Sequence, residues 1–300
     1  MNQFEHADSY RDNGFVLLRN VISKEDVQTI RDHMFGLLDD TTTVGHMSID
    51  EVLAFPTLWR HQFNERIVSR LKQVLGNQPT YMNDFDVQFQ KIDTAGPSKG
   101  WHIDAGYEAG KCAPYLLDPD YSFCKVGLFF QPNTIEYGGG IDVQPGGHEL
   151  FRRIGSPASS YAIIHVRQRF GQRLRRGLTV ETRAGDVLIF DSRLPHASTA
   201  GRLPLASTPH SQRKLTVYWD VAGRALDGDA FFRNAVERSL LDNSNSTFYR
   251  NYLRYHYPDS YPSEYVDHAT RAGINIQSLP KPLASAYAAL VGDSDFLFTS

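Results

Sequence analysis

The chain is expected to be mainly β: a core of antiparallel strands rolled into a sandwich or barrel, with bracing helices before it and a helical extension after it. Three observations predict this. From residue 80 the apolar period becomes two, so that in "YMNDFDVQFQKID" Tyr81, Phe85, Val87 and Phe89 alternate with Asp84, Asp86, Gln88 and Gln90, giving one apolar and one polar strand face. Short strand-like runs then follow at 125–131 ("KVGLFFQ"), 140–144 ("GIDVQ"), 161–166 ("YAIIHV"), 178–183 ("LTVETR"), 186–192 ("DVLIFDS") and 214–221 ("KLTVYWDV"). They are separated by Gly/Pro turns with no helical crossovers, the pattern of antiparallel all-β architecture. Helical spacing is confined to the two ends.

The N-terminal support spans 1–78. Between Gly14 and Asn20, "FVLLR" reads as a short strand. In "SKEDVQTIRDHMFGLLDD", Ser23 is placed to cap a helix with Val27, Ile30, Met34, Leu37 and Leu38 on one stripe. Leu58 to Leu75 repeats the spacing with Phe63, Ile67, Leu71 and Val74 before Gly76 stops it. The strand core spans 79–223. After Gly223, "DGDAFFRNAVERSLLD" is again helical, and 224–300 reads as an appendage packed on the core. A homo-oligomer contact is the competing expectation for that segment.

At 300 residues, a strand core with embellishments fits one domain covering 1–300. With 41% hydrophobic and 12% aromatic residues the chain can bury a large core, and a formal charge of −3 gives no reason to expect nucleic acid or an anionic membrane surface as partner. No apolar run approaches the ~18 residues that span a bilayer. Residues 1–20, with Glu5, Asp8 and Asp12, lack the basic start and apolar middle of a signal peptide. Two cysteines, Cys112 and Cys124, fit ordinary thiols in a reducing cytosol. The expectation is therefore a cytoplasmic protein with a small-molecule substrate, and no nucleic-acid or membrane partner.

The chemistry concentrates in two segments. In "GWHIDAGYE", His102 and Asp104 stand two positions apart, so in an extended strand both point to one face and can converge on one ion. In "RAGDVLIFDSRLPHAST", Ala184, Gly185 and Asp186 form a turn feeding an apolar strand, and Pro195 keeps Leu194 extended, so the chain should deliver His196 from the end of that strand. In a rolled-up sheet this strand can lie beside the one bearing His102 and Asp104. Two imidazoles and one carboxylate form the triad of non-haem Fe(II) oxygenases, whose open positions admit a bidentate oxo-acid and then O2. The second carboxylate of such a cosubstrate needs a cation. Arg213 heads the next strand and its guanidinium suits paired hydrogen bonds. Ser198 lies on the same side as His196 and can donate as well; Arg202, in a Gly/Pro loop, competes with Arg213.

Other residues carry two readings each. The polar face bearing Gln88 either meets solvent or lines a wet cavity, where Gln88 would touch cosubstrate or substrate. Trp101 either walls that pocket or simply packs. His148 follows two glycines and reads as a turn residue, while His165, His210, His256 and His268 have no partner at ligand spacing. Arg167, Arg169, Arg173, Arg175 and Arg176 make either a solvated hairpin or a grip on an anionic substrate. The aperiodic "DAGYEAGKCAPYLLDPDYSFC" fits a substrate lid.

Taken in order, "YRDNGFVLLRNVISKEDV", "WHID", "YGGGIDVQPGGHEL", "RAGDVLIFDSRLPHAS" and "RKLTVYW" resemble the phytanoyl-CoA dioxygenase family of Fe(II)/2-oxoglutarate oxygenases over about residues 8–221. The resemblance implies a double-stranded β-helix, or jelly roll. It implies Fe(II) held by His102, Asp104 and His196, and 2-oxoglutarate held by Arg213 with Ser198 assisting. It further implies O2-dependent decarboxylation of 2-oxoglutarate to succinate and CO2 with hydroxylation of an unactivated C–H bond of a small metabolite. Asp104 argues against halogenation; desaturation, epimerisation and ring closure stay open. Two departures stand out: Gly146-Gly147-His148 replaces the family's usual Gly-Ser-His turn, and the interval from His196 to Arg213 is longer than typical, which keeps Arg202 in contention. A cupin-like isomerase or a cofactor-independent dioxygenase would use the same roll without a distal cation, so Arg213→Ala would leave it active. A non-catalytic jelly-roll binding protein is the remaining alternative, and the intact ligand set argues against it.

Overall fold

The computed structural model describes residues 4, 6–37, 44–46, 49–82, 85–90, 100–104, 107–108, 111–112, 114–149, 177–203, 209–241 and 261–277. Its N-terminal part comprises α1 (Ala7–Asn13), β1 (Phe15–Leu18), α2 (Lys24–Gly36), β2 (Val44–His46), α3 (Ile49–Leu53), α4 (Pro56–Trp59) and α5 (Glu65–Leu75). Ser23 caps α2, its hydroxyl accepting from the Asp26 N–H at 3.0 Å. The helix stops at Gly36, so Leu37, expected on the apolar stripe, is 61% exposed; Leu38 lies outside the described residues. The helix expected over 58–75 is interrupted. After α4 a 3-10 turn runs from Arg60 to Phe63, and Asn64 then adopts an extended backbone and accepts from the Arg66 N–H at 3.0 Å. A new cap restarts the helix where periodicity alone reads through.

The strands that follow are β3 (Thr80–Tyr81), β4 (Asp86–Gln90), β5 (Tyr107–Glu108), β6 (Lys111–Cys112), β7 (Phe123–Phe129), β8 (Gly138–Val143), β9 (Leu178–Thr179), β10 (Val187–Asp191), β11 (His196–Ala200) and β12 (Leu215–Ala222). They are succeeded by α6 (Ala225–Leu241), α7 (Ser263–Ala272) and β13 (Asn275–Ile276). The larger sheet runs β1-β10-β7-β12-β3-β13, with β4 also on β12 and β2 on β4; the smaller runs β11-β8-β9. All these pairings are antiparallel except β13 on β3. The two sheets form the double-stranded β-helix core, with β5 and β6 making a separate hairpin. The run expected over 161–166 and the arginines of 167–176 lie outside the described residues, and the 178–183 run contributes only β9.

The alternation decides which face of the larger sheet goes where. Val16, Leu18, Val87, Val126, Leu128, Val187, Ile189, Leu215, Val217, Trp219 and Val221 form one cluster with Ile30 and Met34 of α2, Ile67 and Leu71 of α5 and Tyr265 of α7. The helices therefore cover the outer face. Facing inward, Phe15, Leu17, Phe129, Leu188 and Phe190 pack with Ile141 and Val143 of the smaller sheet. Each such apolar side chain contributes roughly 1.5–3 kcal/mol on full burial. Cys124 is a buried free thiol. Among the described residues no helix is long and apolar enough to cross a membrane.

One buried carboxylate fixes how the chain enters β10. Asp186 accepts from Arg19 Nη1 at 2.7 Å, the Asn20 N–H at 2.8 Å and the Arg183 N–H at 2.7 Å. Gly185 takes the left-handed conformation of the turn before it (φ 89°). At the other end of β10, Arg193 is 1% exposed and folds back on Asp191, with Nε to Oδ1 at 2.9 Å and Nη2 to Oδ2 at 2.8 Å. Its guanidinium lies 5.3 Å from the Tyr121 ring centroid. Burial opposes the charge on Arg193, and the Asp191 carboxylate more than offsets that. This pair turns the chain out of β10 and across to the smaller sheet.

Candidate metal centre

The apolar strand β10 ends at Asp191 and the turn after it delivers His196, as the sequence suggested, but as the first residue of β11 in the opposite sheet, so β11 and not β10 lies beside His102. Across from His196 sits His102. The His102 N–H donates to the His196 carbonyl and the His196 N–H to the His102 carbonyl, both at 2.9 Å. Residues exchanging both bonds stand directly opposite in an antiparallel pair, with side chains on one face. The two imidazole centroids are accordingly 4.3 Å apart. Asp104, two positions after His102, joins them on that face, and ligand atoms of His102, Asp104 and His196 all lie within 4.8 Å of one another.

The protonation pattern fits a cation. His102 Nδ1 is 2.7 Å from the Gly100 carbonyl and His196 Nδ1 is 2.9 Å from the Leu194 carbonyl. A nitrogen against a carbonyl must carry the proton, which leaves the lone pairs on the two Nε2 atoms. These point at the carboxylate: His102 Nε2 is 3.7 Å from Asp104 Oδ1, and His196 Nε2 is 3.5 Å from Asp104 Oδ2. Burial, outweighing the attraction of Asp104, lowers the His196 pKa to about 4 and keeps the ring neutral. Two ring nitrogens and a carboxylate converging on one point form a set that a metal ion can join.

The triad lines a cavity of about 60 Å³ between the sheets, shared with Asp86, Gln88, Lys125, Ile141, Phe190, Ser198, Lys214 and Tyr218. The polar face of β4, through Asp86 and Gln88, thus lines this cavity. Phe190 presents its edge to His196 at 5.0 Å between ring centroids. Lys125 Nζ lies 3.7 Å from Asp104 Oδ2 and 3.5 Å from Asp220 Oδ1. Burial and then the Asp86 carboxylate push the Tyr218 phenol up, so it stays a donor. Gly127 pairs in register with Tyr218, and a Cβ there would meet its ring at 2.8 Å, so only glycine leaves room for the ring in this position.

Of the other residues singled out in the sequence, Gln88 and Ser198 reach the cavity and Arg213 does not. Arg213 lies in the bend before β12; burial, and after it the charge of Arg213, lowers the pKa of Arg31 to about 10, and Arg31 Nη1 donates to the Arg213 carbonyl at 3.1 Å. Arg202 is exposed and also outside the lining. Lys125 and Lys214 were missed. The signal was in the alternation, since an apolar Leu215-Val217-Trp219-Val221 face leaves Tyr218, and Lys214 just before the strand, for the opposite side. Trp101 packs on Gly177, where a Cβ would meet its ring at 2.6 Å. His148 is buried in its turn with Nε2 3.0 Å from the Arg11 carbonyl, and His268 packs against Phe63 and Trp59.

The model of the family described as phytanoyl-CoA dioxygenase (PhyH) matches residues 10–202. No curated protein sequence matches the chain. Among solved structures, the epimerase SnoN in complex with Fe3+, alpha ketoglutarate and nogalamycin RO is 18% identical, with a TM-score of 0.50 over 72% of this chain and 81% of SnoN. HygX from Streptomyces hygroscopicus, with nickel, 2-oxoglutarate and hygromycin B bound, is 12% identical, with a TM-score of 0.51 over 74% of this chain and 87% of HygX. EctD from S. alaskensis in its apoform is 16% identical, with a TM-score of 0.50 over 74% of this chain and 79% of EctD. At these identities the likeness is one of fold.

Proposed function

The chain belongs to the phytanoyl-CoA dioxygenase family, and from that premise we propose that it is a non-haem Fe(II)- and 2-oxoglutarate-dependent dioxygenase that hydroxylates an unactivated C–H bond of a small metabolite. The observation that carries this reading is the convergence of two proton-free Nε2 atoms and one carboxylate on a single point beside a cavity. Bound there, ferrous iron with 2-oxoglutarate and O2 supplies the oxidising power, and succinate and CO2 are released.

The protein's own part is to hold and orient. His102 and His196 would give two nitrogen donors, each ring oriented by a backbone carbonyl at Nδ1. Asp104 would give the anion, and a set of three protein ligands would leave the ion able to take up cosubstrate and O2 as well. Ile141 and Phe190 exclude water from one wall, while Ser198 and Tyr218 offer hydroxyls to the cosubstrate. The bound iron and 2-oxoglutarate of SnoN and the bound 2-oxoglutarate of HygX agree with this assignment.

Purified protein given Fe(II), ascorbate and 2-oxoglutarate should form succinate slowly, and faster when a screened metabolite pool contains the substrate. Isotopically heavy O2 should appear both in succinate and in a hydroxylated product; label in succinate alone would indicate epimerisation, desaturation or ring closure instead. Asp104→Ala should lose iron. Undiminished iron loading in that variant would refute the ligand set, and turnover without 2-oxoglutarate would favour the cupin-like alternative.

A further inference from the structure

On the helix-covered side of the larger sheet lies a cleft of about 570 Å³, bordered by β1, α5 and His6 before α1. It shares no lining residue with the metal cavity. Leu17 and Leu18 line it from β1 but are themselves buried, so a ligand there meets mainly polar side chains. Three of these are arginines: Arg19, Arg66 and Arg70.

Arg66 and Arg70 stand four residues apart on α5, neighbours on one face of the helix, where two like charges repel. Arg66 Nη1 donates to the Asn20 carbonyl at 2.8 Å, which holds its guanidinium beside β1. Arg70 is partly buried, yet among the described residues it makes no hydrogen bond or ion pair. Burial and then the charge of Arg66 lower its pKa. The fold therefore strips water from this guanidinium and gives it no acceptor in return, an arrangement that costs stability. Arg19 is anchored through Nη1, which donates to Asp186 Oδ2 at 2.7 Å and to the Glu181 carbonyl at 2.8 Å, so Asp186 matches its charge. Exposed Glu65 is the one acid of the lining. It offsets one of the two remaining charges and leaves the cleft positive.

An oxyanion would relieve both penalties, supplying Arg70 with acceptors and screening it from Arg66. A planar carboxylate occupies the fork of a single guanidinium, whereas a phosphoryl group presents three oxygens and close to two negative charges, enough for two arginines at once. The Ser69 hydroxyl and the Gln73 amide, four residues apart on the same helix, line the cleft with them and can donate to the same group. The volume is that of a site for a whole small molecule, not for a lone ion. We propose that this cleft binds the phosphoryl group of a small soluble molecule, gripped between Arg66 and Arg70.

The test is calorimetric titration of the full chain with pyrophosphate, with no iron added so that the metal centre takes up none, and with thermal melts to confirm that each variant is folded. Wild type should bind one equivalent. Arg70→Gln and Arg66→Gln should each bind about tenfold more weakly or worse, and Arg70→Lys should recover part of the loss because the charge returns without the fork. Lys72→Gln/Arg271→Gln removes two cations that line another hollow against α5, and should stay within about twofold of wild type because exposed charges that far off are screened at physiological salt. Vesicles of phosphatidylcholine with phosphatidic acid should not sediment the protein; sedimentation that depends on Arg66 and Arg70 would move the phosphoryl group to a lipid and overturn the soluble ligand. Absence of binding in wild type, equal affinity in wild type and Arg66→Gln/Arg70→Gln, or an equal loss in Lys72→Gln/Arg271→Gln overturns the site itself. None of these outcomes bears on the metal centre.

Discussion

The Asp191–Arg193 pair gives the sharpest quantitative expectation, because it is buried and sits where the chain crosses from one sheet to the other. Replacing Arg193 by Met keeps most of the volume but strands the Asp191 carboxylate, whose side chain is 3% exposed. Breaking a buried pair in this way costs about 3–5 kcal/mol, whereas removing both charges costs much less. Because the guanidinium donates two bonds to Asp191 and the Arg193 N–H donates to the same Oδ1 at 2.8 Å, the upper half of that range is expected. With about 2–4 °C per kcal/mol for a chain of this size, the melting temperature should fall by roughly 8–20 °C. The turn also aims His196, whose Nδ1 rests on the Leu194 carbonyl, so iron should bind about tenfold more weakly. Calorimetry and Fe(II) titration read the two effects. The double variant Asp191→Asn/Arg193→Met should recover most of the stability. A single variant losing under about 1 kcal/mol, or a double variant no better than the single, would refute the view that a stranded charge is the cost.

Other consequences follow from packing and burial. Gly127→Ala should cost about 1–3 kcal/mol in urea unfolding, since the added methyl must displace the Tyr218 ring; an unchanged midpoint would show that the ring is free to move. Trp219→Ala, at the centre of the helix-covered face with 0% exposure, should cost about 3–5 kcal/mol by the same measurement. Burial lowers the His148 pKa below its ordinary 6.5, so below that pH the unfolded chain binds the extra proton more readily and stability falls as the solution is acidified. His148→Gln should flatten that dependence in a series of melts, and an unaltered slope would exclude His148 as its source.

The candidate metal ligands were legible because they lie in local patterns with a geometric meaning: His102 and Asp104 at strand spacing, His196 behind a turn and a proline. Their meeting was not, because the reciprocal hydrogen bonds between His102 and His196 join residues far apart in the chain, and nothing local specifies that register. The helix break at Asn64 escaped notice because apolar spacing continues smoothly through it, while a single capping side chain decides the matter. Arg213 was chosen for its chemistry at the head of a strand. It lies in the bend before β12 begins, and outside the cavity lining, which residue chemistry alone does not reveal. The roles of Asp86 and Gln88 hung on whether the polar face of β4 met bulk water, which only the arrival of β11 and β8 opposite it could decide.

The placement of β12 also has a practical side. It runs down the middle of its sheet, flanked by β7 on one edge and by β4 and β3 on the other, with all eight residues buried, yet it begins beyond residue 202, where the family match ends. A fragment trimmed to that match for expression would be a roll missing its keel: two raw strand margins, β7 and β4, would face each other across a gap. Such a fragment should come out of cells as inclusion bodies.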